Sequence, residues 1–309
     1  MTVTSADIKA KAREIGFTSC GIVPADGLAD ERRHLDEWLR RGYHGNMSWM
    51  EREPEKRGDP RILLPGCRSV VVCTLNYYTP YEHLDSPNRG KISRYAWGED
   101  YHDVLRSKLT DLLAWISSRQ DRLVSKICVD TAPFMDKAWA ARAGLGWIGK
   151  HTNLITKNVG SWVFIGSLLL DIALDYDMPE PEDHCGTCTA CLDACPTNAI
   201  VEPYVVDSRK CISYATIELR NENLPDDIAA NLNGWIYGCD ICQDVCPWNR
   251  FQQPTGEPRF EPRNGETSLD IGGIAQLEHP EYVERFRGSA IKRTKLSGLK
   301  RNAKTLESS

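Results

Sequence analysis

The sequence lacks any apolar run long enough to cross a membrane. Its longest apolar stretch, residues 162–174, contains Gly166, Ser167 and Asp171 and is shorter than the roughly 20 apolar residues that a membrane-spanning helix requires. The first 17 residues follow an amphipathic helix pattern and lack the apolar core of a signal peptide. We therefore expect a cytoplasmic protein with no membrane partner.

Two common nucleotide-binding arrangements are also absent. The sequence has no P-loop, and its glycine-rich segment GLGWIG at residues 144–149 follows a predicted helix. A dinucleotide-binding loop instead follows a strand and opens a helix. The net charge of −5 means that the bulk electrostatics of the chain do not favour a polyanion.

Cysteine, by contrast, is abundant. The run from Cys185 to Pro196 has the ferredoxin spacing C-x2-C-x2-C-x3-C-P, and a lone Cys211 precedes a second run, C-x2-C-x3-C-P, from Cys239 to Pro247. In two-cluster ferredoxins, three closely spaced cysteines ligate one [4Fe–4S] cluster, and the cysteine before proline ligates the other cluster. This rule predicts one cluster on Cys185, Cys188, Cys191 and Cys246, and a second on Cys195, Cys211, Cys239 and Cys242.

Zinc and disulfides are the alternatives for this region. Zinc sites also use C-x2-C pairs, but the ferredoxin run is a poor tetrahedral zinc site. Disulfides need an oxidising compartment, which the missing export signal disfavours. The other four cysteines, Cys20, Cys67, Cys73 and Cys128, lie in or beside apolar runs, as buried thiols do.

Apolar periodicity predicts alternating helices and strands before residue 178, which is typical of a layered α/β structure. The predicted helices are residues 4–16, 30–41, 101–118 and 135–143, and the predicted strands are residues 20–23, 68–77, 126–130, 153–156 and 162–170. We predict a catalytic α/β domain over 1–178, a ferredoxin-like domain over 179–250 and an irregular segment over 251–309. The last segment carries eight Lys or Arg residues and no acid between Arg285 and Lys304. This basic stretch is either a solvated face or a phosphate-binding tail.

Two stretches of the α/β region are candidates for a catalytic or ligand-binding site that would use the electrons of the predicted clusters. Asp130 stands at the C-terminal end of a short predicted strand, where a partly desolvated carboxyl would have a raised pKa and could donate a proton. It could equally cap the next helix. The glycines of residues 142–153 would let the backbone approach a large flat ligand, unless this stretch is a simple turn-rich loop.

Four segments, together with the cysteine-rich region, resemble the epoxyqueuosine reductase family. These segments are Lys56–Pro60 (KRGDP), Ser93–His102 (SRYAWGEDYH), Val129–Pro133 (VDTAP) and Ala143–Lys150 (AGLGWIGK). They occur in one collinear register that covers nearly the whole chain, and their combination is far more specific than any one of them.

The resemblance implies an α+β, sandwich-like cobalamin domain similar to that of reductive dehalogenases, followed by a ferredoxin-like module with two [4Fe–4S] clusters. The resemblance also implies that the cobalamin is base-off with no histidine ligand, which is consistent with the absence of a D-x-H-x-x-G signature. Asp130 would be the proton donor. The residues expected to contact cofactor or substrate are Arg57, Tyr101, His102, Asp130, Arg142, Lys150, His151, Ser213 and Asp240.

The activity implied by the resemblance is reduction of epoxyqueuosine to queuosine in the anticodon loop of tRNA. A flavodoxin- or ferredoxin-type donor would supply low-potential electrons, and the basic tail would hold phosphates outside the pocket. We expect a monomer. Family members often continue into HEAT-like helical repeats, and Leu296–Ala303 is similar to the start of one, after which the chain ends.

Two other functions fit parts of the pattern. A dehalogenase-like corrinoid enzyme would use the same chemistry on a small molecule, but such enzymes are usually exported. A ferredoxin-type electron-transfer subunit would have no active site of its own and no need of a 178-residue α/β domain. Retention of a corrinoid would distinguish the enzymes from the subunit, and salt-sensitive tRNA binding would distinguish the two enzymes.

Overall fold

The structure is a computed structural model that describes residues 3–84, 86–180 and 182–308. Met1, Thr2, Asp85, Pro181 and Ser309, which belong to the three predicted domains, lie outside the described residues. None of the described helices is long and apolar enough to cross a membrane.

The helices and strands follow each other along the whole chain. The helices are α1 (Ser5–Ile15), α2 (Ala29–Arg40), α3 (Pro54–Gly58), α4 (Pro60–Leu63), α5 (Tyr101–Ser117), α6 (Asp136–Arg142), α7 (Ala190–Asp193), α8 (Ile212–Ile217), α9 (Asp226–Ala229), α10 (Ile241–Asp244), α11 (Ile271–Gln276), α12 (His279–Arg285) and α13 (Lys295–Glu307). The strands are β1 (Ser19–Pro24), β2 (Ser69–Asn76), β3 (Arg89–Ile92), β4 (Ser125–Cys128), β5 (Trp147–Ile148), β6 (Leu154–Ile155), β7 (Val163–Leu170), β8 (Ile200–Glu202), β9 (Val205–Val206), β10 (Trp235–Tyr237) and β11 (Ser268–Asp270).

A four-stranded sheet in the order β1-β2-β7-β4 forms the centre of the N-terminal region, and every neighbouring pair is antiparallel. All eight residues of β2 are buried, because helices cover both faces of the sheet. Val71 and Leu75 pack with residues of α1 and α5, whereas Val70 and Val72 pack with residues of α6. The predicted layered α/β fold is confirmed.

The strongly periodic elements of the sequence are present. The predicted helices correspond to α1, α2, α5 and α6, and the predicted strands to β1, β2, β4, β6 and β7. β4 ends at Cys128, so Asp130 lies in the loop just beyond the strand. Short elements such as α3, α4 and β5 were not predicted, since two to five residues carry too little periodicity.

The prediction of an irregular C-terminal segment was wrong. Residues 268–307 form β11 and the helices α11, α12 and α13, although the prolines at 254, 258 and 262 suggested a loop. Leu269, Ile274 and Leu299 are buried in one core with Ile236 of β10. The supposed start of a helical repeat is therefore a helix packed into this core.

Side-chain hydrogen bonds tie α13 to the cysteine-rich region. The buried guanidinium of Arg301 donates to the carbonyls of Leu219 and Ala215, and the amide of Asn302 donates to those of Thr216 and Ile236. A second sheet, in the order β10-β3-β11, takes one strand from each of the three predicted segments. The boundaries near residues 178 and 250 stay a prediction.

Candidate functional site

A cavity of about 830 Å³ lies at one edge of the four-stranded sheet. Its walls include Tyr77, which follows β2, and Val163, Phe164 and Ile165 at the start of β7. Because β4 and β7 are antiparallel, the loop after β4 reaches the same edge and brings Asp130 into the cavity wall. The volume is near the upper end of the range for small-molecule sites, about 300–1,000 Å³.

Asp130 has a left-handed backbone, with φ at 47°, and its side chain is 62% exposed in the cavity. The hydroxyl of Tyr101 donates to its Oδ2 at 2.8 Å, and Nε2 of His102 lies 3.1 Å from the same oxygen. Met135 is the N-cap of α6, so Asp130 does not cap that helix. Positive φ at a non-glycine residue recurs at functional sites.

The start of α5 supplies both partners of Asp130. Asp100 is the N-cap of this helix, and its Oδ1 accepts from the backbone N–H of His102 at 3.1 Å. The same oxygen lies 2.7 Å from Nδ1 of the His102 ring. His102 thus bridges two carboxylates, one that fixes the ring and one that faces the cavity.

The expected rise in the pKa of Asp130 was wrong. Partial desolvation in the cavity opposes ionisation of Asp130, but hydrogen bonds from His102 and Tyr101 outweigh this effect and lower its pKa. Burial also disfavours the cation of His102, yet its hydrogen bonds to Asp100 and Asp130 raise its pKa to about 9. At neutral pH the pair therefore holds its proton on His102 and its negative charge on Asp130.

We predict that His102→Gln removes a pH-dependent part of the stability. The pKa of His102 is raised from 6.5 to about 9, so its stabilising effect is complete below pH 6.5 and is lost as the pH rises through 9. The free energy of unfolding of wild type should exceed that of the variant by on the order of 1–3 kcal/mol at pH 6. This difference should be smaller at pH 10. The stability difference is measured by thermal unfolding of the cluster-loaded proteins under anaerobic conditions. A difference that is the same at every pH would contradict the prediction.

Two further polar side chains of the cavity were missed by the sequence analysis. Burial and the nearby charge of Asp130 raise the pKa of Asp136 to about 8, and its buried Oδ1 has no hydrogen-bond partner among the described residues. Lys137 donates to Asn153 Oδ1 at 2.7 Å, and burial lowers the pKa of Lys137. The feature of the sequence that could have indicated these two residues is their nearness to Asp130 along the chain.

The glycine-rich loop has a different role from the one predicted. A Cβ at Gly146, where φ is 154°, would lie 2.0 Å from the carbonyl oxygen of Ile155. A Cβ at Gly144 would lie 2.5 Å from that of Met178. These glycines let protein backbone approach protein backbone, and the loop then presents Ile148, His151 and Asn153 to the cavity.

Most of the other predicted contact residues line the cavity, namely Arg57, Tyr101, His151, Ser213 and Asp240. Arg57 is 8% exposed, donates to the carbonyl of Trp49 at 3.0 Å and has a pKa lowered by burial. The carboxylate of Asp240 accepts from the Ser93 hydroxyl and from the Arg94 backbone N–H, which anchors the segment before α5.

Arg142 and Lys150 have other partners. Arg142 donates to the carbonyl of Asp26 at 3.1 Å and joins α6 to the loop before α2. Lys150 donates to the carbonyls of Gly186 and Cys188 at 2.6 and 2.9 Å. Among the described residues, Arg142 lines neither cavity, and Lys150 lines only the small cavity that the first cysteine set shares. Their contacts with a cofactor, like that of His102, which reaches the 830 Å³ cavity only through Asp130, stay a prediction.

The eight cysteines of the ferredoxin-like runs separate into two spatial groups. A small cavity of about 130 Å³ is lined by Cys185, Cys188, Cys191 and Cys246. The 830 Å³ cavity is lined by Cys195, Cys211, Cys239 and Cys242. These groups are the two ligand sets that the spacing rule predicts, and the second set lies in the same cavity as Asp130.

No group of three or more His, Cys, Asp or Glu side chains in the described ranges is arranged to hold a single metal ion. Each cysteine group lines a cavity instead, which fits a cluster of four irons and four sulfides better than one ion. The assignment of these groups to clusters therefore depends on the motif and on the matching family model described next.

Fold and site together define an iron–sulfur oxidoreductase with a ligand cavity beside one cluster centre. A family model described as "4Fe-4S double cluster binding domain" matches residues 184–249, and one described as "Epoxyqueuosine reductase QueG, DUF1730" matches residues 57–131. An epoxyqueuosine reductase of Cellulophaga algicola is 50% identical over 96% of this chain and 95% of its own. One of a Synechocystis species is also 50% identical, over 92% and 98%. The chain belongs to the epoxyqueuosine reductase family.

Solved structures agree with this assignment. A crystal structure of epoxyqueuosine reductase with an epoxyqueuosine-modified tRNA-Tyr stem loop has a TM-score of 0.90 and 32% identity, covering 97% of this chain and 80% of that one. A Bacillus subtilis epoxyqueuosine reductase with its catalytic loop swung out of the active site has a TM-score of 0.89 and 30% identity, with the same coverage.

Proposed function

We propose that this protein reduces epoxyqueuosine to queuosine in the anticodon loop of tRNA. The observation that carries the proposal is the cavity whose wall contains both Asp130, the partner of His102, and the cysteines of the second set. The overall reaction takes up two electrons and two protons, converts the epoxide to an alkene and releases one water. The cavity would then combine a proton donor, Asp130, with a source of electrons at the second cysteine set.

We infer that cobalamin binds in this cavity without a histidine ligand. The cavity has apolar walls from β7 and, among the described residues, buried polar atoms without partners on Arg57 (Nε), Asp136 (Oδ1) and His151 (Nε2). Such atoms suit the amide-bearing rim of a corrin ring, and Ser213 and Asp240 would flank it. When bound and reduced, cobalamin supplies the electrons that break the carbon–oxygen bonds of the epoxide.

The residues of the chain would supply the protons. Asp130 faces the cavity, and the His102 imidazolium can pass its proton to Asp130 Oδ2 across 3.1 Å. Asp130 then donates to the oxygen that leaves the epoxide ring. His102, protonated again from solvent, would supply the second proton by the same route, so that this oxygen departs as water. Asp100 holds the ring of His102 in place throughout.

The C-terminal basic segment would hold the tRNA phosphates. The pKa of Arg293 is raised chiefly by its hydrogen bonds with the carboxylate of Glu218. Arg285 and Arg293 also form ion pairs within the chain. The exposed cations of the segment are the better phosphate ligands, and they include Arg287, Lys292, Lys295 and Lys304.

We also propose a cytoplasmic monomer that receives electrons from a flavodoxin- or ferredoxin-type donor. The first cysteine set lies in a cavity separate from the one that contains Asp130, so its cluster would accept electrons first and pass them to the second. The domain boundaries near residues 178 and 250 belong to this proposal as well.

The test is anaerobic turnover with the cluster-loaded protein, cobalamin, a chemical reductant and tRNA carrying epoxyqueuosine. We expect a product nucleoside lighter by one oxygen, formed only when cobalamin and the reductant are both present. Unchanged tRNA after incubation with fully loaded protein would contradict the proposal. Product formed without cobalamin would contradict the inferred cofactor and leave the reaction itself in place.

A further inference from the structure

Trp147 has a buried indole N–H without an ordinary acceptor. The residue lies in β5 and is 5% exposed, and no nitrogen or oxygen in the described ranges accepts from its Nε1. A buried donor left unpaired destabilises the folded state. An acceptor of another kind at this position would remove that cost.

The surroundings of Trp147 are those of the first cysteine set. Its ring packs in a small cluster with Cys185 and Cys246, and it meets the rings of Trp248 and His184 edge-on at 4.8 and 4.7 Å. Burial raises the pKa of the Cys185 thiol, and the side chain of Trp147 is among the groups that act against this rise. Two ligands of one predicted cluster therefore contact the ring that carries the unpaired N–H.

We propose that the Trp147 N–H donates to the ligand sulfur of Cys185 and thereby sets the reduction potential of the first cluster. A hydrogen bond to a cluster sulfur stabilises the additional negative charge of the reduced state, which raises the potential. The cluster that faces the external donor thus becomes easier to reduce. The inference depends on the double-cluster domain of the proposed function, but on neither cobalamin nor the epoxyqueuosine substrate.

The test is Trp147→Phe, which keeps an aromatic ring and removes the N–H. We expect the reduced-to-oxidised ratio of one cluster, at a fixed ambient potential, to fall about tenfold, which is ~59 mV for a one-electron couple. The other cluster should keep its potential. Electron paramagnetic resonance during an anaerobic redox titration of the cluster-loaded protein follows both clusters without any turnover.

Trp139→Phe is the matched control. Trp139 is fully buried, and its Nε1 likewise has no partner among the described residues. It lies in α6 and packs with residues of β2 rather than with cysteines of either set. It should leave both potentials unchanged. An equal shift in both variants, or no shift in a fully loaded Trp147→Phe, would overturn the proposal.

A second measurement covers the case in which Trp147→Phe does not load its clusters. Protein with ¹⁵N-labelled indoles, carrying Trp248→Phe to remove the neighbouring label, is reduced and examined by pulsed electron paramagnetic resonance. A ¹⁵N coupling to one cluster is expected from the Trp147 hydrogen bond. The absence of any such coupling would overturn the proposal, whatever the outcome of the turnover assay.

Discussion

Replacing Asp130 with asparagine is expected to lower the turnover of epoxyqueuosine tRNA by about 10²–10⁴-fold, the usual contribution of a general acid. An amide can still accept from Tyr101, but it cannot receive a proton from His102 and pass it to the leaving oxygen. The measurement is the rate of product formation in single turnover, with nucleosides resolved by mass. Cluster content and cobalamin loading should match wild type.

Asp103→Asn is the control for this variant. Asp103 lies in the first turn of α5, beside His102 in sequence, and is exposed. The substitution changes the same amount of charge in the same helix without touching the pair, so its turnover should stay near that of wild type. Wild-type turnover by Asp130→Asn would exclude this carboxylate as the donor while leaving the proposed reaction intact.

Some features of the site could be predicted from the sequence alone, and others could not. A short strand followed by Asp130 was sufficient to predict an acid at the edge of the sheet, because this inference uses only local sequence. The sign of its pKa shift was predicted wrongly, because it depends on His102 and Tyr101. These residues reach Asp130 only through the packing of α5 against the sheet.

The same reason explains why the cysteine sets could be predicted from the sequence and the fold of the C-terminal segment could not. Fixed spacing in the chain predicts ligand sets, and the structure groups the eight cysteines in that way. No local pattern predicts that the amphipathic α13 buries Arg301 among carbonyls near residues 215–221. Long-range hydrogen bonds of this kind leave no periodic trace, so the basic residues alone suggested an exposed tail.

Cys211→Ser is the second substitution with a large expected effect. Cys211 stands alone in sequence and is the N-cap residue of α8, yet it shares the main cavity with Cys195, Cys239 and Cys242. A serine hydroxyl is a poor ligand for iron compared with a thiolate, so the second cluster should be lost. Iron per protein should fall from about eight atoms to about four, and turnover should fall to background.

Cys20→Ser is the matched control, because Cys20 is also partly buried but belongs to neither set. It should retain about eight irons and wild-type turnover. Retention of both clusters by Cys211→Ser would remove this residue from the ligand set.

The pairing of the cysteines can be decided with a third variant, Cys246→Ser. Under the crossover rule, Cys246 serves the first cluster although it follows Cys242 closely in sequence, and the structure places it in the small cavity with Cys185. Cys211→Ser and Cys246→Ser should therefore each retain a different cluster, with different electron paramagnetic resonance spectra and midpoint potentials. If each cluster were instead bound by cysteines adjacent in sequence, both variants would lose the same cluster and retain identical spectra. Identical spectra would thus contradict the crossover, and the Trp147 hydrogen bond would then concern a cluster with a different fourth ligand.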